Sequence, residues 1–325
     1  ELTGKNPQWA QYHLKQAVGN RLKANETYKN MLDEEGRRCW TLMYSDSANY
    51  HMDILPSLVC NGYDTVLEKA FSATVLDKNY ESLAIRITDN QQNNYYTDTV
   101  AENWMKSNPF GYGGWFFNAA DVSTLRKSMM LSEAVNPVPK HSKEKLPLQR
   151  VVQILKRHRD MMFNGDEHKP ISIIITTLAS RAYDKETSII DALTNVVANM
   201  SNYIESRYDP NTGKVVKWIP NPVNPEENFA DKWVEHPQRE KNFYKWLDRV
   251  ESDIQAIVQK RGLQYIAEAM KKPFGEQDIT KTFSTLGERN RNLRESGILK
   301  MAAGTGILST AGNVAAAAHN FHGND

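Results

Sequence analysis

Tyr50-His51-Met52-Asp53-Ile54-Leu55-Pro56 sets an acid inside a run of large apolar residues. Aspartate is among the poorest strand formers, so its presence there calls for a reason. Working outward, Cys39–Tyr44 reads as a second extended run, and the turn-rich Ser45-Asp46-Ser47-Ala48-Asn49 between them predicts an antiparallel hairpin that Pro56 closes. Strand alternation puts His51, Asp53 and Leu55 on one face and Tyr50, Met52 and Ile54 on the other. Two readings of Asp53 follow. A buried carboxylate would need a partner or a metal to offset its desolvation. An edge-strand carboxylate would instead face water or accept a loop N–H.

Around this hairpin the pattern is mixed. Apolar positions at helical spacing (Tyr12, Leu14, Val18, Leu22) predict one long helix or two over residues 6–32, with Gly36 beyond as a stop. A third strand is expected at Leu83–Thr88 and a helix around Thr99–Lys106. The proline- and lysine-rich stretch from Val135 to Pro147 reads as an exposed crossover. Beyond it, helices are expected at Leu148–Phe163, Pro170–Tyr183, Ser188–Glu205, Pro237–Lys260 and Leu263–Met270. The expected fold class is therefore α+β: a mixed sheet-and-helix core over residues 1–140 packed on an all-α lobe over 141–275. Residues 276–325 form a C-terminal segment expected to end in a weakly packed, mobile Ala/Gly-rich tail.

Composition narrows the function classes. The chain has 325 residues, of which 40% are hydrophobic, 24% charged and 10% aromatic, as in an ordinary globular protein. Against 40 Lys and Arg stand 39 Asp and Glu, a net charge of +1, so nucleic acid is not required as a partner and any anion must meet a local patch. Two cysteines, Cys39 and Cys60, are too few for a cysteine-rich zinc site and fit a reducing compartment, so the cytoplasm is expected. No signal peptide is read at the start, and Lys300 and Asn313 dilute the apolar stretch 297–318, so no membrane association is expected. Glu1 in place of an initiating methionine makes the chain read as a fragment.

Two further segments carry candidate chemistry. In Leu148–Phe163 an apolar stripe of Leu148, Val151, Val152, Leu155 and Met162 is interrupted by Lys156-Arg157-His158-Arg159. Lys156 sits at the border of the stripe, where its stem can pack while its ammonium reaches a phosphate in a cleft. Alternatively Lys156 pairs with Asp160 one turn on, and Arg157 and Arg159 form a solvated face. In Lys169-Pro170-Ile171-Ser172 the proline marks a helix start, which leaves backbone N–H groups and the Ser172 hydroxyl near a positive helix end. Ser172 could equally be a small core residue bonded to a local carbonyl. Consecutive antiparallel helices would bring Lys156 and Ser172 around one ligand, a candidate triphosphate clamp.

Taken in order, these segments resemble the cGAS/DncV-like nucleotidyltransferases (CD-NTases), the bacterial enzymes that make cyclic oligonucleotides in anti-phage defence. The matching stretches are Gly19-Asn20-Arg21-Leu22, Arg38-Cys39-Trp40-Thr41-Leu42, His51 to Pro56, Ser107-Asn108-Pro109 with Trp115-Phe116, Leu148 to Asp160, Lys169 to Ser172 with Thr176-Thr177-Leu178-Ala179, and Asn221-Pro222-Val223 through Trp233. They span residues 10–250. The resemblance implies a polymerase-beta-like nucleotidyltransferase core over residues 1–140 and a helical lobe after it. It also implies an Mg²⁺ site, with Mn²⁺ as the alternative ion, in which Asp53 is the third carboxylate, both metal ligand and catalytic residue. The donor triphosphate would lie on Lys156 and Ser172.

Two departures qualify what is carried over. Where animal relatives have an aromatic residue after the serine, this chain has Ile173. The family's Gly-Ser loop and paired Asp-x-Asp strand have no counterpart before Asp53, since Glu34-Glu35 are adjacent and cannot share a strand face. The chain is therefore expected to lack its N-terminal part and, as given, to be inactive. The expected substrates are nucleoside triphosphates and the product a cyclic di- or trinucleotide second messenger of CBASS defence that reaches a downstream effector. A ubiquitin-transfer-like ligase acting on the C-terminus is a further expected partner. The alternatives on the same fold are an inactive nucleotide-binding or scaffold protein and a linear oligonucleotide synthase.

Overall fold

Gly19 has no side chain, and the helix that carries it depends on the gap. In the computed structural model, which describes residues 6, 8–45, 50–59, 80–120, 145–209, 213–303 and 308–315, the first helix α1 (Gln11–Lys23) lies against the indole of Trp40. A Cβ on Gly19 would stand 2.2 Å from that ring. Trp40 is buried and its Nε1 donates to the carbonyl of Lys15 at 2.9 Å. Lys15 is itself fully buried: its ammonium donates to the carbonyls of Gly36 and Arg37 at 2.6 and 2.9 Å and lies 3.1 Å from Glu35. The expected one or two helices resolve into two, α1 and a short α2 (Glu26–Met31) capped by Asn25.

Helix α1 thereby fixes a three-stranded antiparallel sheet of β1 (Leu32–Glu35), β2 (Trp40–Ser45) and β3 (Tyr50–Ile54), with β3 at its edge. The register pairs Trp40 with Ile54, Thr41 with Asp53, Leu42 with Met52 and Met43 with His51. The hairpin is as expected, although its turn at 46–49 lies outside the described residues. Trp40 and Leu42 bury one face. Alternation turns Thr41, His51 and Asp53 to the other.

A second antiparallel sheet orders β4 (Ser57–Val59), β5 (Ile85–Ile87) and β6 (Met105–Ser107), with Ile85 and Ile87 buried. Here the helix expected at Thr99–Lys106 is corrected: a 3₁₀ turn at Ala101–Asn103 leads directly into β6. Trp104 explains the difference, because it is buried with its Nε1 on the carbonyl of Asp98 and its own carbonyl on Arg86, which holds the backbone extended beside β5. Asn108 then caps α3 (Pro109–Ala120), accepting from the Gly111 N–H at 2.8 Å and donating to Tyr80 O at 2.6 Å.

The chain divides into two compact units, residues 1–146 with 218–229, and residues 147–217 with 230–325. The returning segment forms a tight hairpin, Pro220–Asn221 against Asn224–Asn228, and Phe229 meets the ring of Tyr112 edge-on at 6.2 Å. The second unit is built of α4 (Pro147–Phe163), α5 (Ser172–Ala182), α6 (Ile189–Asn199), α7 (Lys232–Glu235), α8 (Pro237–Val258), α9 (Leu263–Phe274) and α10 (Glu276–Glu295). Leu148, Val151 and Leu155 meet Ile175, Leu178, Val196, Trp246 and Val250 in a core that excludes water.

Two features of this unit depart from an all-α lobe with a loose tail. The helix expected at Ser188–Glu205 ends at Asn199, a 3₁₀ turn follows at Met200–Tyr203, and Glu205–Asp209 and Lys214–Trp218 then form a two-stranded sheet. Past residue 275 the chain continues as the 20-residue α10, entered through Gly275 at φ 101°, a left-handed turn that glycine alone takes without strain. Short strands at Lys300–Met301, Leu308–Ser309 and Val314–Ala315 make a further small sheet, and residues 316–325 lie outside the described residues. Among the described residues no helix is long and apolar enough to cross a membrane.

Asp89 ties the first unit together. Its buried carboxylate accepts from Arg37 Nε at 2.8 Å, Arg38 Nε at 3.0 Å and the Gln91 N–H at 3.0 Å, while its own N–H donates to Gln11. Burial drives this carboxyl's pKa up, but the three hydrogen-bonding groups together outweigh it and leave it below the ordinary value. A depressed folded pKa contributes stability that is present above about pH 3.9 and lost as the solution is acidified below it. Asp89→Asn is expected to cost about 2 kcal/mol in urea denaturation and to flatten the acid limb of the stability profile. Gly19→Ala is expected to cost about 1–3 kcal/mol by displacing Trp40, read by the same titration and by tryptophan fluorescence.

Candidate functional site

Asp53 lies on the exposed face of edge strand β3, its Oδ1 accepting from the Thr41 hydroxyl at 2.7 Å. Of the two sequence readings, the structure corrects the buried one: the large neighbours Met52 and Ile54 point to the opposite face, and the carboxylate stands in water. Cys39 lies close by, its Sγ 3.9 Å from Thr41 Oγ1. Burial, with a smaller contribution from the charge of Asp53, raises its thiol pKa, so it stays protonated at neutral pH.

Mg²⁺ takes hard oxygen ligands in octahedral geometry. The face around Asp53 offers one carboxylate, one hydroxyl and, two residues back on β3, the imidazole of His51, beside a soft thiol. Among the described residues no three His, Cys, Asp or Glu side chains gather into a metal-holding group. The described residues therefore do not make a magnesium site by themselves.

In the second unit, four consecutive side chains of α4 leave the helix in four directions, as a 100° step per residue requires. Arg157 donates to the carbonyl of Phe274 at 3.0 Å and to Asp278 at 2.5 Å. His158 is buried against Asp253, 3.1 Å away, which Arg249 also meets. Burial lowers the pKa of His158 despite that carboxylate.

Arg159 is 6% exposed, a correction to the solvated face expected for it. Its Nε and one Nη lie on the Asp160 carboxylate at 2.9 and 2.8 Å; the other Nη donates to the Pro170 carbonyl at 3.0 Å and to Ser172 Oγ at 2.9 Å. The remaining side chain of the four is Lys156, half-buried and without a hydrogen bond or ion pair among the described residues. Its pKa is lowered first by burial and then by the charge of Arg159, against a weaker pull from Asp160. The expected Lys156–Asp160 pair is not made, because Asp160 is occupied by Arg159 and, at 3.4 Å, by Lys169.

Ser172 opens α5 and is exposed, not a core residue. It accepts from Arg159, and its own hydroxyl proton has no acceptor among the described residues. No side chain caps α5, whose N-terminal turn presents the positive end of the helix. Thus Lys156 and Ser172 belong to one α4–α5 pairing joined by Arg159. Asp160 is taken up by Arg159 and Lys169, so Lys156 alone of these three cations keeps an uncommitted charge among the described residues. An ammonium left in that state suits an anion.

Over 289 residues the chain is 30% identical to the c-di-GMP synthase of Roseivirga ehrenbergii, an alignment covering 88% of this chain and 68% of that one. The chain belongs to the CD-NTase family. Its fold matches that of the Bradyrhizobium diazoefficiens CD-NTase CdnG, solved in complex with GTP, with a TM-score of 0.56 at 17% identity over 87% of this chain and 76% of CdnG. No protein-family model matches.

For this CD-NTase, sequence reasoning picked out Lys156 and Ser172 and missed the residue that connects them. The signal was present: Arg159 lies four residues after Leu155 and three before Met162, on the stripe that faces the core. Ile173 is half-buried and Ile171 is 40% exposed, so aliphatic side chains flank Ser172.

Holding an unpartnered ammonium in a half-buried setting costs stability. Lys156→Met, which keeps the stem and removes the charge, is expected to melt at the same or a higher temperature than the parent. A lysine pKa below its unfolded value near 10.4 makes the parent gain stability as pH rises toward that value. The gain is expected to vanish in Lys156→Met, as followed by thermal melts between pH 7 and 10.

Proposed function

We propose that this CD-NTase joins nucleoside triphosphates into a cyclic dinucleotide, with GTP as substrate and cyclic di-GMP as product. The observation that carries the reading is the free ammonium of Lys156 on α4, within range of the charge of Arg159, which itself bonds the uncapped start of α5 where Ser172 keeps a hydroxyl proton to give. The relative named c-di-GMP synthase supplies the choice of base. In this reading Lys156 acts as a point charge on the donor triphosphate, Ser172 donates to a phosphate oxygen, and the first N–H groups of α5 complete the cradle. Fixing the triphosphate aligns the scissile bond for in-line attack by a ribose hydroxyl, so catalysis is chiefly positioning.

The proposal includes a divalent requirement, Mg²⁺ or Mn²⁺, with Asp53 as one carboxylate ligand. When bound, such an ion neutralises charge on the phosphates. It also includes the setting: a second messenger of CBASS anti-phage defence made in the cytoplasm, an effector reached through that product, and conjugation of the C-terminus by a ubiquitin-transfer-like ligase.

Incubating the gene's complete product with GTP, or with all four NTPs, and Mg²⁺ is expected to yield a phosphatase-resistant cyclic product in mass spectrometry. The 325-residue chain tested alongside is expected to yield none, because the described residues bring one carboxylate to the β3 face. Asp53→Asn is expected to abolish product and preserve the melting temperature; full activity in that variant would remove Asp53 from the site. Lys156→Ala is expected to weaken nucleotide binding by about ten- to a hundredfold, the loss of one hydrogen bond to a charged group. An unchanged intact mass after co-expression with the ligase would rule out conjugation.

A further inference from the structure

We infer that Arg159 is a positioning residue of the phosphate site, one that acts through Ser172 and does not itself bind the phosphate. The inference rests on the triphosphate reading of Lys156 and Ser172.

The argument is an inventory of donors. A guanidinium has five N–H groups and no acceptor. On Arg159 the Nε and one Nη are directed at Asp160, and both hydrogens of the other Nη are spent on Pro170 O and Ser172 Oγ. One N–H remains, on a side chain that is 6% exposed and has its charge already paired. A residue so engaged is fixed in place and poorly free to turn toward an incoming anion.

What it does instead is decide the role of the serine. A hydroxyl can donate once and accept twice, and its hydrogen turns to suit its neighbours. With an Arg159 N–H directed at Ser172 Oγ, the serine proton is turned away from the guanidinium, and it meets no acceptor among the described residues. The hydroxyl is therefore preset as a donor. A phosphate oxygen, which accepts and never donates when ionised, is the matching partner. The bond from the same Nη to the Pro170 carbonyl fixes the turn into α5, so the helix start and the serine are held by one group. Lysine at position 159 would keep the charge and lose the fork that reaches both oxygens at once.

A double-mutant cycle on the complete protein tests this, with equilibrium binding of GTP and ATP and thermal melts as readouts. Ser172→Ala, at an exposed position, is expected to weaken nucleotide binding about tenfold in the parent. Arg159→Lys is expected to weaken binding by a similar factor. In the Arg159→Lys background, Ser172→Ala is expected to add less than about twofold, because the two changes remove one interaction. Independent, multiplying losses would overturn the inference, as would a Ser172→Ala variant that binds like the parent while Lys156→Ala binds weakly. If Lys156→Ala and Ser172→Ala both bind like the parent, the triphosphate reading fails and takes the inference with it.

Should Arg159→Lys not fold, the unaltered protein still answers. The guanidinium N–H signals of Arg159 in ¹⁵N NMR are expected to be protected from exchange without nucleotide and to keep that protection when GTP binds. Signals that exchange freely, or that become protected only with GTP, would make Arg159 a direct phosphate ligand and overturn the inference.

Discussion

The first unit depends on an indole ring packed closely against a helix backbone. Trp40 reaches α1 only because Gly19 leaves room for it, and its N–H is spent on the carbonyl of Lys15. The buried ammonium of Lys15 then gathers the carbonyls of Gly36 and Arg37, which closes the turn from β1 into β2. Since side chains alternate along a strand, burying Trp40 and Leu42 forces Thr41 outward, and the antiparallel register carries Asp53 with it. A slip of one residue would exchange the wet and dry faces of the hairpin. The placing of a carboxylate in water thus traces back to a missing methyl group on a helix more than thirty residues earlier in the chain.

The second unit separates two tasks that basic residues often share. Arg159 is neutralised by Asp160 and spends its hydrogen bonds on protein oxygens, which makes it a strut. Lys156 keeps its charge uncommitted at some cost, first from desolvation by burial and then from repulsion by the neighbouring guanidinium. An ammonium whose proton is already held less tightly stands to gain more from an arriving anion than one that is well solvated. Arg157 and His158, adjacent in sequence, are drawn into helix packing against Asp278 and Asp253 instead.

Much of this was legible in the chain, and the limits have physical causes. The β2–β3 hairpin announced itself through alternation and a turn-forming stretch, and α4, α5 and α8 through apolar stripes. Alternation states which residues share a face but not which face is wet, so the exposure of Asp53 could not be read from it. Residues 99–106 looked helical because the pattern, although it placed a strand at Leu83–Thr88, said nothing of the open edge of that strand, which recruits Met105–Ser107. Arg157 and Arg159 read as a solvated face, yet a helix sends successive side chains to different sides, and Arg159 falls on the core. Past residue 275 the loss of aromatic residues suggested loose chain, while Asp278 and Ile279 anchor α10 through Arg157 and burial. Family resemblance singled out Lys156 and Ser172, but not Arg159.

The path of the chain has a consequence for its synthesis. Residues 218–229 belong with residues 1–146, yet the intervening stretch 147–217 belongs to the other unit. A ribosome releasing the polypeptide from its amino end therefore completes the earlier unit late. Tyr112 must wait for Phe229 while three helices of the other unit emerge and begin to fold. Neither unit can be excised by cutting the backbone at one place, and a clone ending at Leu146 would express a body with an unfilled seam. The two units are made as one interlaced translation product, in which the last piece of the first is delivered in the middle of the second.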